Sequence, residues 1–361
     1  PLTLEAGKQY CYRIFLGSVD LLGSDPSPRF HTQVPAGSTE AFSFAVIGDW
    51  GSVDSTGANP DQANVMQRIA SSGARFVLTT GDNAYPAGSQ TNYGDLVQVG
   101  SSTSAVFGPQ FWAVPGRSIP TFVVNGNHDM SSTANPHPYL VSWPQDRAVA
   151  TSIGKYVRET YCCLNGTTSA SYPSAWYAFD AGNVRFYVLQ ASWPGNNIGT
   201  ADQYENDFDY HWTTSSPEYQ WLEQDLQANQ GKLKIAVLHY PFYSDNSSQD
   251  SDTFLQGNGS LEGLLGRNGV VLAFSGHAHI YQRDKPNTWG TITYVTGGGG
   301  AKLATTRACT AMTAYSIGWS YTDNAGTACG SAPRPDPTPG PGTARAGCPP
   351  PRSCSPPARP P

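Results

Sequence analysis

The 361-residue sequence predicts an α/β fold, and three observations carry that prediction. From Glu40 onward, short apolar runs of strand length alternate with stretches of helical character, a pattern of strands and helices layered around one core. Most of the key runs stop at a glycine or proline that turns the backbone. Directly after five of them stands a residue able to ligate a metal, and open α/β sheets place their sites at the C-terminal ends of strands.

Residues 1–36 contain two strand-like runs, Lys8–Leu16 and Pro28–Val34, joined by a Gly/Ser/Asp/Pro turn. Pro35–Thr39 reads as a linker. Phe42–Ile47 is predicted as a strand, Asp61–Ser72 as a helix and Arg75–Thr80 as a buried strand. Thr121–Val124 and Val184–Gln190 follow as strands, then Pro217–Asn229 as a helix with proline in its first turn. Lys232–Leu238, Val270–Phe274 and Thr291–Val295 complete the strands, and a helix over Ser260–Arg267 precedes the second of these. The inserts 86–118 and 131–180, rich in Gly, Pro, Ser and Trp, exceed plain connections and are expected to wall the site. A catalytic unit thus spans 40–330. Beyond it the composition collapses to Pro, Gly, Arg and Cys, which predicts a disordered tail over 331–361.

A net charge of −6 argues against a nucleic-acid partner, which selects for a basic face. Affinity for a phosphate group then has to come from local cations, most simply metal ions. No apolar run approaches the roughly 18 residues needed to cross a bilayer, so no membrane insertion is expected. Only 13% of residues are charged and Gly, Ser, Thr and Tyr abound, which suits a secreted, extracellular protein. The chain opens on strand-like sequence without Met or a signal peptide, as a mature or truncated form would. None of the seven cysteines forms a CxxC pair, so a thiolate metal site is not expected. Cys309 and Cys329 bracket a short segment and are candidates for a disulfide, whereas the adjacent Cys162 and Cys163 are expected to contact other cysteines. Three glycosylation sequons occur, at Asn165, Asn246 and Asn258. Trp193, Tyr204, Trp212 and Tyr243 are read as packing residues more than as an entrance lining.

The chemistry sits at the strand ends. They read Gly48-Asp49-Trp50-Gly51, Gly81-Asp82-Asn83-Ala84-Tyr85, Gly126-Asn127-His128-Asp129, His239-Tyr240-Pro241 and Gly276-His277-Ala278-His279. Singly each has a bland reading. Gly-Asp after a strand is most often a turn, His239 could be a satisfied core histidine, and Asn127 could serve a positive φ. Five in order leave little room for coincidence. Asp49, Asp82, Tyr85, Asn127, His239, His277 and His279 make seven ligands, enough to fill two metal spheres if one is shared.

This ordered set resembles the metallophosphoesterase superfamily, most closely the purple acid phosphatases, over about residues 42–300. The resemblance implies a four-layer αββα sandwich of two mixed sheets. Many superfamily members carry Asp-x-His in the first motif; here Gly51 takes the histidine's place and Tyr85 ends the second motif, the purple acid phosphatase pattern. By that pattern the first metal takes Asp49, Asp82, Tyr85 and His279. The second takes Asp82, Asn127, His239 and His277, with Asp82 bridging. A tyrosine of ordinary pKa near 10 needs a strongly Lewis-acidic ion to ionise it, which favours ferric iron at the first site. Ferrous iron, zinc or manganese would fill the second. The implied activity is hydrolysis of small phosphate monoesters by a metal-bound hydroxide, with His128 stabilising the phosphoryl group or protonating the leaving group. Asp129 is expected to orient His128 or a ligand histidine.

Three features qualify the resemblance. Pro241–Asp250 lacks the substrate-side histidine of better-known purple acid phosphatases, leaving Asp245 or Asp250 either to substitute for it or to play no part. After Gly330 no strand pair remains to close the second sheet. Leu4–Ile14 resembles the last half of a fibronectin type III domain, whose late strand carries a corner tyrosine, so residues 1–36 are expected to be an incomplete β-sandwich or to pack elsewhere. Two rival functions stand beside the monoesterase: a phosphodiesterase or nucleotide hydrolase on the same scaffold, and a secreted binding module whose metal site is only structural.

Overall fold

The central strands are apolar on both faces because both faces are covered. The computed structural model describes residues 4–24, 27–52, 60–93, 119–143, 145–161, 170–194, 210–307 and 309–331. Cys162, Cys163, Cys348, Cys354, the sequon at Asn165, Tyr204 and residues 332–361 of the predicted tail lie outside them.

The described chain opens with β1 (Gln9–Cys11), β2 (Phe15–Leu16), β3 (Val19–Asp20) and β4 (Arg29–His31), where β1 pairs with β4 and β2 with β3, both antiparallel. The expected single strand Lys8–Leu16 is thus divided. At the break, the Arg13 guanidinium folds onto the Asp20 carboxylate and the Gly23 carbonyl, bending the backbone into a separate hairpin. This hairpin leaves Phe15 60% and Leu16 71% exposed.

Next come β5 (Ala45–Ile47), α1 (Pro60–Ser71), β6 (Val77–Thr79), α2 (Gln90–Tyr93) and β7 (Thr121–Phe122), and the three strands form a parallel sheet in that order. Then follow α3 (Pro138–Ser142), α4 (Gln145–Val149), β8 (Ser152–Tyr161), β9 (Ala170–Ala181), β10 (Val184–Val188), α5 (Pro217–Ala228) and β11 (Leu233–Val237). The series ends with α6 (Leu261–Arg267), β12 (Val270–Ser275), β13 (Tyr281–Asp284), β14 (Ile292–Thr296), β15 (Thr313–Ser320) and β16 (Ala325–Gly330). These nine strands make one mixed sheet, ordered β16-β15-β13-β14-β12-β11-β10-β9-β8. Helix α5 starts as its sequence predicts, with the Ser216 side chain accepting from the Tyr219 N–H and Pro217 in the first turn.

Period-two alternation distributes the apolar side chains among three layers of core. Phe76, Leu78, Phe122 and Val124 of the small sheet meet Phe179, Phe186, Val188, Ile235 and Val237 of the large one. Their outward neighbours Val77 and Val123 pack with Ile69 of α1, Tyr139 and Trp143. On the far side, Tyr187, Leu189, Ala236 and Leu238 lie under Tyr219, Leu222 and Leu226 of α5 and Leu261, Leu264 and Leu265 of α6. The result is the expected helix–sheet–sheet–helix stack.

Three expectations change. The insert 131–180 does not simply wall the site: its second half is the β8–β9 hairpin, which extends the large sheet and is buried from Tyr172 to Phe179. The strand pair expected to be missing after Gly330 exists ahead of it as β15–β16, pinned by a Cys309–Cys329 disulfide. Strand β13 carried no apolar signature because its inward residues, Gln282 and Asp284, are polar and bond each other. Trp193 and Trp212 are core residues, and Tyr243 donates to Glu262. Of the two described sequons, Asn246 is buried with both ends of its amide hydrogen-bonded, while Asn258 is exposed.

Burial pushes the Asp284 carboxyl from the ordinary 3.8 up to about 6, against hydrogen bonds from Thr293 and Gln282. A carboxyl whose folded pKa is raised supports the fold fully below its unfolded pKa and loses that support as pH rises through the folded value. The loss is on the order of 3 kcal/mol by pH 7. Tm should therefore fall between about pH 4 and pH 7, and Asp284→Asn should flatten that fall. An unchanged profile in the variant would place its source elsewhere.

Candidate metal centre

Because β5, β6 and β7 are parallel to one another, and β11 and β12 are too, each sheet delivers its C-terminal strand ends together. The loops after these five strands converge where the two sheets meet. Asp82 is at the centre. One of its oxygens, Oδ2, accepts the Tyr85 hydroxyl at 2.9 Å, and the same hydroxyl lies 3.3 Å from Asp49 Oδ1 and 3.3 Å from His279 Nε2. The other, Oδ1, is 3.4 Å from His239 Nε2. Asn127 Oδ1 stands 2.9 Å from His239 Nε2 and 3.1 Å from His277 Nδ1. All seven predicted ligands are therefore brought together, with the two oxygens of Asp82 facing two different groups of them.

Hydrogen bonds behind the site set the histidine tautomers. His239 Nδ1 donates to the Thr80 carbonyl and His279 Nδ1 to the Lys302 carbonyl, each at 2.7 Å, leaving Nε2 of both rings to face the centre. Strain marks the same residues. Asp49, Asp82 and His277 have φ of 56°, 53° and 64°, and they are three of the four described non-glycine residues with positive φ. Such conformations persist where the surroundings over-determine them, typically at functional sites.

The glycine at 51 acquires a physical reason. A Cβ there would lie 1.9 Å from the Asn83 carbonyl oxygen, so no histidine fits while the Asp82–Tyr85 loop packs as it does. Gly126 is similarly required, since its Cβ would lie 2.2 Å from Asp82 Oδ1.

Without cations the charges are frustrated. Burial, then the Asp82 and Asp49 carboxylates, push the Tyr85 phenol well above its ordinary value. Burial disfavours charge on His277 and holds it well below the usual range, with His239 adding to the effect. Burial opposes charge on His279 too, but the Asp49 hydrogen bond and charge raise it to about 9. Two carboxylates, a phenol, an amide oxygen and three imidazoles suit hard or borderline cations, and bound cations would relieve each of these conflicts.

His128 lies beside the candidate ligands. Its backbone N–H donates to Asp82 Oδ1 at 2.9 Å, its Nδ1 donates to the Pro86 carbonyl at 2.7 Å, and its ring sits 4.2 Å from that of Tyr85. Nε2 is thereby left on the side of the ring away from that carbonyl. Asp129 corrects its expected role. It bonds neither His128 nor a ligand histidine; it accepts from the Asn83 N–H and side chain, the Ala84 N–H, the Tyr93 hydroxyl and the Gly126 N–H. That carboxylate, raised to about 6 by burial and Asp82, clamps the second and third motif loops together. Asp245 and Asp250 are no substitutes for a substrate-side histidine. Asp245 is buried and accepts from Thr310, Thr313 and Ser316, while Asp250 pairs with Arg307. Asn83 was missed in the sequence: its amide bonds Trp50, Thr79, Val124 and Asp129, joining three strand ends. Its place inside Gly-Asp-Asn was the available signal.

The pattern that defines the calcineurin-like phosphoesterases matches residues 42–281, two thirds of the chain and all five segments that carry the candidate ligands. The chain belongs to the calcineurin-like phosphoesterase family. Within it, the chain is 27% identical to purple acid phosphatase 23 of Arabidopsis thaliana over 300 residues, covering 78% of this chain and 56% of that protein. It is 25% identical over 298 residues to a nucleotide pyrophosphatase/phosphodiesterase of Hordeum vulgare, covering 72% and 68%. The chain spans about half the length of the first curated relatives it matches. The purple acid phosphatase PPD1 from yellow lupin (Lupinus luteus) seeds shares the fold, with a TM-score of 0.54 at 16% identity over 86% of this chain and 59% of that one. His279 lies inside the calcineurin-like phosphoesterase match, whereas Lys302, which orients it, lies beyond.

Proposed function

We propose that this calcineurin-like phosphoesterase is a binuclear-metal hydrolase of small phosphate monoesters, of purple acid phosphatase type. The observation that carries the reading is Asp82, whose two oxygens face two separate ligand groups. On that basis Asp49, Asp82, Tyr85 and His279 hold ferric iron, and Asp82, Asn127, His239 and His277 hold ferrous iron, zinc or manganese. When bound, the cations supply Lewis-acid charge that polarises the phosphoester and makes a water nucleophilic near neutral pH.

The chain's own residues do the rest. Asp82 keeps the two half-sites at a set separation, and the Thr80 and Lys302 carbonyls aim the imidazoles. Asp129 and Asn83 prevent the strand-end loops from drifting apart, as a site held to a fraction of an ångström requires. His128, anchored through Nδ1, presents Nε2 to a phosphoryl or leaving-group oxygen and donates a hydrogen bond or proton there. Secretion belongs to the same reading, and the Cys309–Cys329 disulfide supports it, since disulfides persist in oxidising compartments. Residues 1–36 are read as a fibronectin type III-like segment ahead of the catalytic unit.

The second reading is a phosphodiesterase or nucleotide hydrolase, favoured by the relative of that name in Hordeum vulgare. Turnover of aryl phosphate monoesters and bis-aryl diesters by metal-replete protein separates the two. Higher kcat/KM on the monoester is the expected result, and a preference for the diester would reverse the assignment.

A further inference from the structure

Strand β14 runs out into consecutive glycines at 297–300, and the chain then passes along the metal centre to Arg307 before it enters β15. Glycines impose little conformation of their own, so the position of residues 299–307 comes from what binds them. On one side this strap holds Asp49 and His279, the two candidate ligands that flank the Tyr85 hydroxyl. The Gly299 N–H donates to the Gly48 carbonyl at 2.9 Å, the Ala301 N–H to the Asp49 carbonyl at 2.8 Å and the Ala304 N–H to the His279 carbonyl at 3.0 Å. The Lys302 carbonyl receives His279 Nδ1. On the other side the strap rests on β15 and β16. The Ala304 carbonyl accepts the Trp319 N–H at 2.8 Å, and the Thr306 N–H donates to Thr327 Oγ1 at 2.8 Å. A further tie, from the Arg307 N–H to the Asp245 carbonyl at 2.7 Å, also leads to β15, because Thr313 and Ser316 hold the Asp245 carboxylate. Yet β16 is an edge strand, paired among the described residues with β15 alone, and edges open first. The Cys309–Cys329 disulfide ties β16 to the end of the strap and closes that edge. Strap, hairpin and disulfide all lie beyond the family match, which ends at residue 281.

We propose that the Cys309–Cys329 disulfide is a positioning element of the metal centre: by locking β16 to the 299–307 strap, it holds Asp49 and His279 where the first metal needs them. The role rests on the binuclear reading. The cross-link acts by removing chain entropy from the opened state of this edge, in which the strap and the His279 imidazole would both come loose.

Two forms of the full chain test this against untreated wild type: Cys309→Ser/Cys329→Ser, and folded wild type treated with dithiothreitol, which serves even where the variant does not fold. Cys309 is exposed and Cys329 buried, so the dithiol's thiolate attacks Cys309 Sγ and Cys329 leaves. The second thiol then displaces Cys309, leaving two protein thiols and the cyclic disulfide of the reagent. In both metal-free forms the amides of Ala301 and Ala304 should exchange hydrogen about tenfold faster, with those of β6 and β11 unchanged. The variant should bind iron about tenfold to a hundredfold more weakly by elemental analysis, falling from two metals per chain towards one. Unchanged exchange at Ala301 and Ala304 would overturn the proposal. So would faster exchange throughout β6 and β11 with both metals lost together, which marks general destabilisation. An untreated wild type that never holds two metals would sink the binuclear reading, and the exchange comparison would still decide whether the disulfide positions His279.

Discussion

Replacing Asp82 by asparagine is expected to lower kcat/KM on phosphoesters at least about a thousandfold while leaving the fold intact. The fold should survive because asparagine tolerates the φ of 53° that Asp82 adopts and still offers Oδ1 to the His128 N–H. Activity should not, because two cations held by these ligands would repel each other, and the buried Asp82 charge would offset that repulsion. An amide shares neither the charge nor the second anionic oxygen. The checks are steady-state kinetics, circular dichroism with a melting curve, and metal content. Fold retained with metal and activity lost decides for catalysis over a merely structural metal site. Activity within a few-fold of wild type would remove Asp82 from the centre of the mechanism.

Tyr85→Phe carries the second large effect. Wild-type protein loaded with iron should show a visible tyrosinate-to-ferric charge-transfer band, and the variant should lose it along with about a hundredfold in kcat/KM. Burial and two carboxylates hold the phenol protonated, so only a strongly Lewis-acidic ion can draw the proton off. Phenylalanine keeps the ring against His128 at 4.2 Å and deletes only the oxygen that lies among Asp82, Asp49 and His279. The band therefore reports the ligand and not the packing. A colourless, iron-free and fully active wild-type protein would refute the ferric assignment.

The elements that were easiest to foresee are those whose burial is symmetric. Arg75–Thr80 and Lys232–Leu238 lie between two cores, so their continuous apolar runs were readable. Helix α5 announced itself through Ser216 and Pro217. Strand β13 was invisible because burial there is satisfied by a polar pair, Gln282 with Asp284, and polar pairs leave no periodic signal. The β8–β9 hairpin was hidden by a composition of Gly, Pro, Ser and Trp that reads as loop until a neighbouring strand supplies its partner. Asp129 was placed in the right motif with the wrong partners: adjacency to His128 suggested a pair, but the backbone turn after Gly126 points its carboxylate to Asn83 and Ala84.

By itself the sequence marked the seven candidate ligands and their positions at five strand ends, because ligand chemistry is a property of residue type and strand ends are marked by glycine and proline. Only the tertiary structure decided how those residues act together. The Asn83 carbonyl excludes any side chain at Gly51, and the two oxygens of Asp82 separate the candidate ligands into two groups. Each depends on contacts between segments far apart in the chain, and such contacts exist only once both sheets have closed on their shared core.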